Sequence, residues 1–264
     1  MARDDAEELT PQERWDRVMA QACDEARSGS ATGVRVSRWN EVSTRVWFGP
    51  RRTRPSGGLY LAQVARPHVP MGFIGSVGTV AGLGAVEALR SFGVPARLAW
   101  PATIVDESGC FLGAVRCTGG YGEGGVFAVA GVAVNVGAGE CPVPQDGPEP
   151  LEAVSIGDLV DSDALPAAPD MAAAVQDSVA AAIARWEQGI AAGQGAAGPL
   201  GPVLGDWFDE MPLMGSPVRV LLPNGSVAAE GVLVGIDGWG RITVRTDDGR
   251  ELEFSGEQVF LRPR

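Results

Sequence analysis

The chain has 264 residues, of which 45% are apolar and 20% charged, and its 21 basic and 33 acidic side chains leave a formal net charge of −12. That balance excludes disorder over most of the length and suits one main domain with a small appendage. A surface so acidic repels phosphate backbones, so no nucleic-acid partner is expected. The sequence contains no lysine, so all 21 basic residues are arginine and any mechanism that needs a catalytic lysine is closed to it. No apolar run reads as a bilayer span, and the start, MARDDAEELT, is acidic; neither a membrane segment nor a signal peptide is expected, and the default location is cytoplasmic. One histidine, His68, and four cysteines, Cys23, Cys110, Cys117 and Cys141, without a CxxC pair, argue against a metal site. A Cys–His nucleophile pair stays open, and a disulfide between Cys110 and Cys117 is the less favoured reading.

Thr10-Pro11-Gln12-Glu13 forms a capping box with proline at the first helical position, and Trp15, Val18, Met19, Ala22, Cys23 and Ala26 follow at helical spacing. This predicts an amphipathic helix ending near Ser28-Gly29. Extended segments at 34–38 and 43–48 precede a basic, proline-bounded loop at 50–58 and a strand at 59–65. A second helix spans 77–91, with Gly93 as its stop. Its Gly78, Gly82 and Gly84 weaken it and point to the close approach of another backbone. Strands follow at 96–100, 103–106, 110–118 and 126–136, the last two joined by the glycine-rich stretch 119–125. Residues 140–168 read as a loop, and Asp170 is placed to cap a third helix through Met171, Val175, Val179, Ile183 and Trp186. Past the low-complexity stretch 191–205, short strands alternate with Asn224-Gly225, Asp237-Gly238 and Asp248-Gly249 turns. They predict a small β-barrel.

The stretch from Met214 carries Ser216-Pro217-Val218-Arg219-Val220, a Gly231 to Ile242 hairpin and a closing Gly256-Glu257 to Leu261-Arg262. This resembles the C-terminal SH3-like barrel of biotin protein ligases. Upstream, Trp47-Phe48-Gly49-Pro50 with Gly58-Leu59-Tyr60-Leu61, then Leu98-Ala99-Trp100-Pro101, Leu112-Gly113-Ala114-Val115 and Gly131 through Asn135-Val136 fall in that family's order. The resemblance covers roughly residues 12–264. It implies an α+β fold, with a mixed β-sheet flanked by helices over 1–210 and an SH3-like barrel over 211–264. It also implies biotin and ATP as substrates, an acyl adenylate, and transfer to a carrier-protein lysine.

The departures fall on the chemistry. The family's glycine- and arginine-rich loop aligns with Trp39-Asn40-Glu41-Val42-Ser43-Thr44-Arg45. That stretch has no glycine, only Arg45 matches, and Val42 and Thr44 favour a strand. The family's first-helix motif falls on Glu13-Arg14-Trp15-Asp16, its two lysines on Ala99 and Cys110, and its Asn-Asp on Ala102-Thr103. No catalytic residue is therefore assigned. The binding candidates are Arg45, Arg97, which shares a strand face with Ala99, Trp100, Gly113 and Asn135, with Arg51, Arg52 and Arg54 as a second basic cluster. Three functions stay open: a weakened biotin ligase, a non-catalytic protein holding a small acid or a partner, and an acyltransferase working through a cysteine. The partners in view are a small carboxylic acid, a carrier protein and a second copy of the chain.

Overall fold

The computed structural model describes residues 9–44, 52–161 and 165–264. The first helix, α1 (Pro11–Arg27), starts where the capping box places it: the Thr10 hydroxyl accepts from the Glu13 N–H, and the Glu13 carboxylate accepts from the Thr10 N–H at 2.8 Å. Strands β1 (Arg35–Thr44) and β2 (Arg52–Ala65), helix α2 (Val77–Ser91), and strands β3 (Ala96–Ala99), β4 (Thr103–Asp106), β5 (Phe111–Gly122) and β6 (Gly125–Asn135) follow. Next come the single turn α3 (Ile156–Leu159), the long α4 (Ala168–Ala191) and the short α5 (Leu204–Glu210). The C-terminal module holds β7 (Pro217–Leu221), β8 (Val227–Ile236), β9 (Ile242–Arg245), β10 (Glu251–Phe254) and β11 (Phe260–Pro263).

The class is α+β, with one refinement. The main sheet runs β1-β2-β6-β5-β4-β3 and every neighbouring pair is antiparallel, where a mixed sheet was expected. Short hairpins join β3 to β4 and β5 to β6, and antiparallel neighbours need nothing longer. Among the described residues, the one parallel contact is an isolated bridge between Phe111 and Ala153. The C-terminal module is a five-stranded antiparallel sheet, β10-β9-β8-β7-β11, whose recorded pairings leave β10 and β11 as its edges.

Two local expectations change. The proline-bounded stretch expected as a loop is, over residues 52–57, part of β2, paired from Thr44↔Arg52 to Asn40↔Ser56 with a single continuous β1. Pro55 fits because β6 first meets β2 at Gly58↔Asn135, so residue 55 has a strand on one side only. The 45–48 part of the second expected segment, and Arg45 and Arg51 with it, lie outside the described residues. The cap of α4 is Ala167, not Asp170. Proline at the first turn presets the helical φ, and Asp170 sits one turn in, at the positive end of the helix.

Alternation along β2 builds the layers. Leu59 and Leu61 enter one core with α2, α4 and Leu98, while Tyr60, Ala62 and Val64 enter the other with α1. The stretch Met71–Ser91 is long and apolar enough for a bilayer span, but two-thirds of its most apolar 18-residue window is buried inside the fold, as a central helix between sheet and α4 requires. Gly84 is where α2 meets α4: a Cβ there would lie 2.8 Å from the Val179 Cα and 2.9 Å from the Ser178 carbonyl oxygen.

The core on the α2 side continues without a break from Leu98 and Trp100 into Val218, Leu233, Ile242 and Val244 of the C-terminal module. Trp100 donates from Nε1 to the Gly240 carbonyl at 2.8 Å, and the Leu200 N–H donates to the Gly238 carbonyl at 2.8 Å. The two sheets therefore share one apolar interior.

Gly84→Ala is expected to destabilise the chain by about 1–3 kcal/mol in urea unfolding, because the clash is with backbone and outweighs the helix-propensity gain of roughly 1 kcal/mol. Gly82→Ala is expected to cost less, since its Cβ would meet the Leu98 side chain, whose Cδ1 at 2.6 Å can rotate away.

Candidate functional site

The β3–β4 turn, residues 100–103, forms one wall of a cleft of about 390 Å³ between the main sheet and the C-terminal module. The opposite wall comes from Phe260, Leu261 and Arg262, and the floor from Phe111 and Ala114 of β5, with Gln145 and Asp146 at the side. A smaller nook of about 130 Å³ shares Trp100, Thr103, Leu151, Leu261 and Arg262 with the cleft and extends to Ala99 and Leu213. The segment 143–154, which carries Gln145 and Asp146, is tied at several points. Asn135, fully buried, accepts from the Val143 N–H at 2.9 Å and donates to the Val154 carbonyl at 3.3 Å. The Gln145 amide donates to and accepts from the Leu151 backbone at 2.9 and 2.8 Å. Arg262 donates to the carbonyls of Glu149 and Pro148 at 2.6 and 3.1 Å, while the Glu149 carboxylate accepts from Arg219 at 2.6 Å.

The structure brings Ala99, Trp100 and Thr103 together at the cleft and nook. Trp100 is buried and its indole N–H is spent on Gly240, so it joins the two sheets. Arg97 turns elsewhere: it donates to the Asp209 and Glu210 carbonyls at 2.6 and 3.1 Å, at the C-terminal end of α5. Gly113 lies within the sheet, where a Cβ would fall 2.3 Å from the Ala133 carbonyl oxygen, so its lack of a side chain serves strand packing. Asn135 positions the 143–154 segment from the core. Arg52 and Arg54 lie on β2, and their side chains are outside the described residues, as is Arg45 altogether.

On the α1 face, Trp15 and Phe111 are buried with Tyr60 and Phe127 in one apolar cluster. The Arg116 guanidinium lies 3.9 Å over the Trp15 ring, 3.1 Å from the Asp16 carboxylate and 3.7 Å from Asp146. Sequence reasoning missed Arg116. Its only signal is a charge on an otherwise apolar strand, and its partners lie 100 residues away at Asp16 on α1 and 30 residues away at Asp146. Among the described residues, no three His, Cys, Asp or Glu side chains gather as a metal site would need.

His68 is engaged by Glu187, Nδ1 to carboxylate at 3.0 Å, on the surface. All four cysteines are free. Burial pushes each thiol above its ordinary value, and Cys117 up to about 12. A raised thiol is a weak nucleophile at neutral pH, which removes the support for acyl transfer through a cysteine.

Two outcomes follow from this geometry. Asn135→Ala strands the Val143 N–H and the Val154 carbonyl, so it is expected to cost about 1–3 kcal/mol and to speed hydrogen exchange at Val143. Alkylation with iodoacetamide at pH 8 is expected to modify the exposed Cys141 first and to leave Cys117 intact until the chain unfolds; rapid modification of native Cys117 would contradict its placement.

Residues 213–262 match the family model described as the biotin protein ligase C terminal domain. A search of curated proteins by sequence returns no match. Among solved structures, the chain is similar to the biotin protein ligase from Aquifex aeolicus in complex with biotin and ATP, with a TM-score of 0.62 at 18% identity over 92% of this chain and 94% of that one. A second crystal structure of the Aquifex aeolicus ligase aligns with a TM-score of 0.58 at 19% identity, over 79% of this chain and 83% of that one. A biotin protein ligase-like protein of unknown function from Silicibacter sp. TM1040 aligns with a TM-score of 0.60 at 19% identity, over 93% and 89% of the two chains. The chain thus shares the fold of biotin protein ligases over most of its length, and residues 213–262 carry the sequence of that family's C-terminal domain.

Proposed function

We propose that this protein keeps the biotin protein ligase fold without forming biotinyl adenylate, and acts by holding a small acid or a protein partner. The reading rests on one observation: Arg97, the sole basic residue of β3, is committed to the α5 carbonyls and does not stand in for the lysine that the resemblance would place at Ala99. A positive charge aimed at the reacting carboxylate and phosphate stabilises a transition state by about 3–4 kcal/mol for one well-placed donor. Thr103, where the resemblance expects an acid, adds a hydroxyl and no charge for a metal. Neither Ala99 nor Thr103 supplies the charge that adenylate formation would draw on there, which supports this reading. The likeness to a ligase-like protein of unknown function agrees with this reading.

The test is pyrophosphate release that depends on biotin and ATP, measured after stringent removal of the host ligase. The expected rate is background. Ala99→Lys is also expected to give background turnover with biotin, lipoate or octanoate, because residues that act as a unit are not restored one at a time. It is expected to lower the melting temperature, because it puts an ammonium into an apolar nook. Acid-dependent turnover by the wild type or by Ala99→Lys would refute the proposal.

A further inference from the structure

The nook of about 130 Å³ is walled by Ala99, Val105, Leu151, Met211, Leu213 and Leu261, and among the described residues Arg262 is the one charged residue that lines it. A guanidinium has five N–H donors. Arg262 spends hydrogen bonds on the carbonyls of Glu149, Pro148 and Leu261, at 2.6, 3.1 and 2.9 Å. All three partners are neutral. Among the described residues no carboxylate lies within ion-pair distance of Arg262, and the Glu149 carboxylate is taken by Arg219 at 2.6 Å. Burial holds the Arg262 pKa below the usual arginine value, the mark of a cation poorly repaid for leaving water. The Glu149 carboxylate acts on Arg262 only from a distance and is offset by Arg219, so this partly desolvated cation, hydrogen-bonded to carbonyls alone, favours an anion at its remaining N–H groups, where a charge-assisted bond is stronger than a neutral one.

We propose that Arg262 and the nook bind a small monocarboxylate whose apolar body is about the size of a benzene ring, since an apolar cavity of roughly 150 Å³ holds benzene. The carboxylate takes the free N–H groups of Arg262, and the body fills the nook between Val105, Met211 and Leu213. A phosphate dianion fits less well, because the nook offers one cation and apolar walls. This rests on the acid-holding part of the functional reading above and names its ligand class; because it is tested without nucleotide, its failure is distinguishable from that of the claim that no adenylate forms.

The experiment is isothermal titration calorimetry of the full chain with benzoate, benzamide and benzylamine, in the absence of ATP. Benzoate is expected to bind at least about tenfold tighter than benzamide, the factor a charged hydrogen bond supplies, and benzylamine not at all. Arg262→Gln is expected to abolish benzoate binding. Leu213→Trp, which fills the nook and keeps Arg262, is expected to abolish it as well. Arg245→Gln, which removes an exposed arginine paired with Glu251, is expected to leave it unchanged. Melting curves establish that each variant is folded; if Arg262→Gln is not, Leu213→Trp and the benzoate–benzamide ratio decide the matter. The proposal is overturned by equal binding of benzamide, by no benzoate binding at millimolar concentration, or by benzoate binding that survives Leu213→Trp.

Discussion

The hydrogen bond from the buried Trp100 indole to the Gly240 carbonyl marks the contact on which the site depends. It sits where the β3–β4 turn of one sheet meets the β8–β9 turn of the other, inside a common apolar core. Gly256 packs against Pro101 just beyond it, so close that a Cβ would lie 2.8 Å from the Pro101 Cβ. With the two sheets fixed there, Arg219 and Arg262 reach the 148–149 backbone and side chain, and the cleft acquires its second wall.

The cations near this site show how an all-arginine inventory works. Arg97 closes the end of α5, Arg116 stacks on Trp15 beside two carboxylates, and Arg219 holds Glu149. Guanidinium groups suit such tasks, because a planar fork makes several directed bonds and stacks on rings where an ammonium would act as a point charge. The charge of these three arginines is spent on holding the fold.

Much of the fold was legible because it is written in local chemistry. The Thr10–Glu13 box starts α1, Gly93 at φ 81° follows α2, and the Asn-Gly and Asp-Gly turns punctuate the C-terminal strands. The stretch 52–57 was misread because prolines and arginines look like a loop locally, while pairing with β1 makes it a strand. The candidate site was less legible. Ala99, Trp100 and Thr103 were found through a resemblance, but the placement of Arg97 depends on α5, more than 100 positions along the chain. Arg116 and Arg262 acquire meaning only through partners brought in by tertiary folding, and no pattern of spacing along one strand carries that information.

The uninterrupted core has a consequence for how the protein is lost as well as how it is held. A chain whose two sheets share buried Leu98, Trp100, Leu233 and Val244 has no internal boundary at which half could melt and half survive. Cooperative units are defined by contiguous buried surface, not by the number of sheets. The C-terminal module is thus a poor cassette for evolution to detach or exchange, since its removal would turn interior into surface and leave a sticky, aggregation-prone remainder.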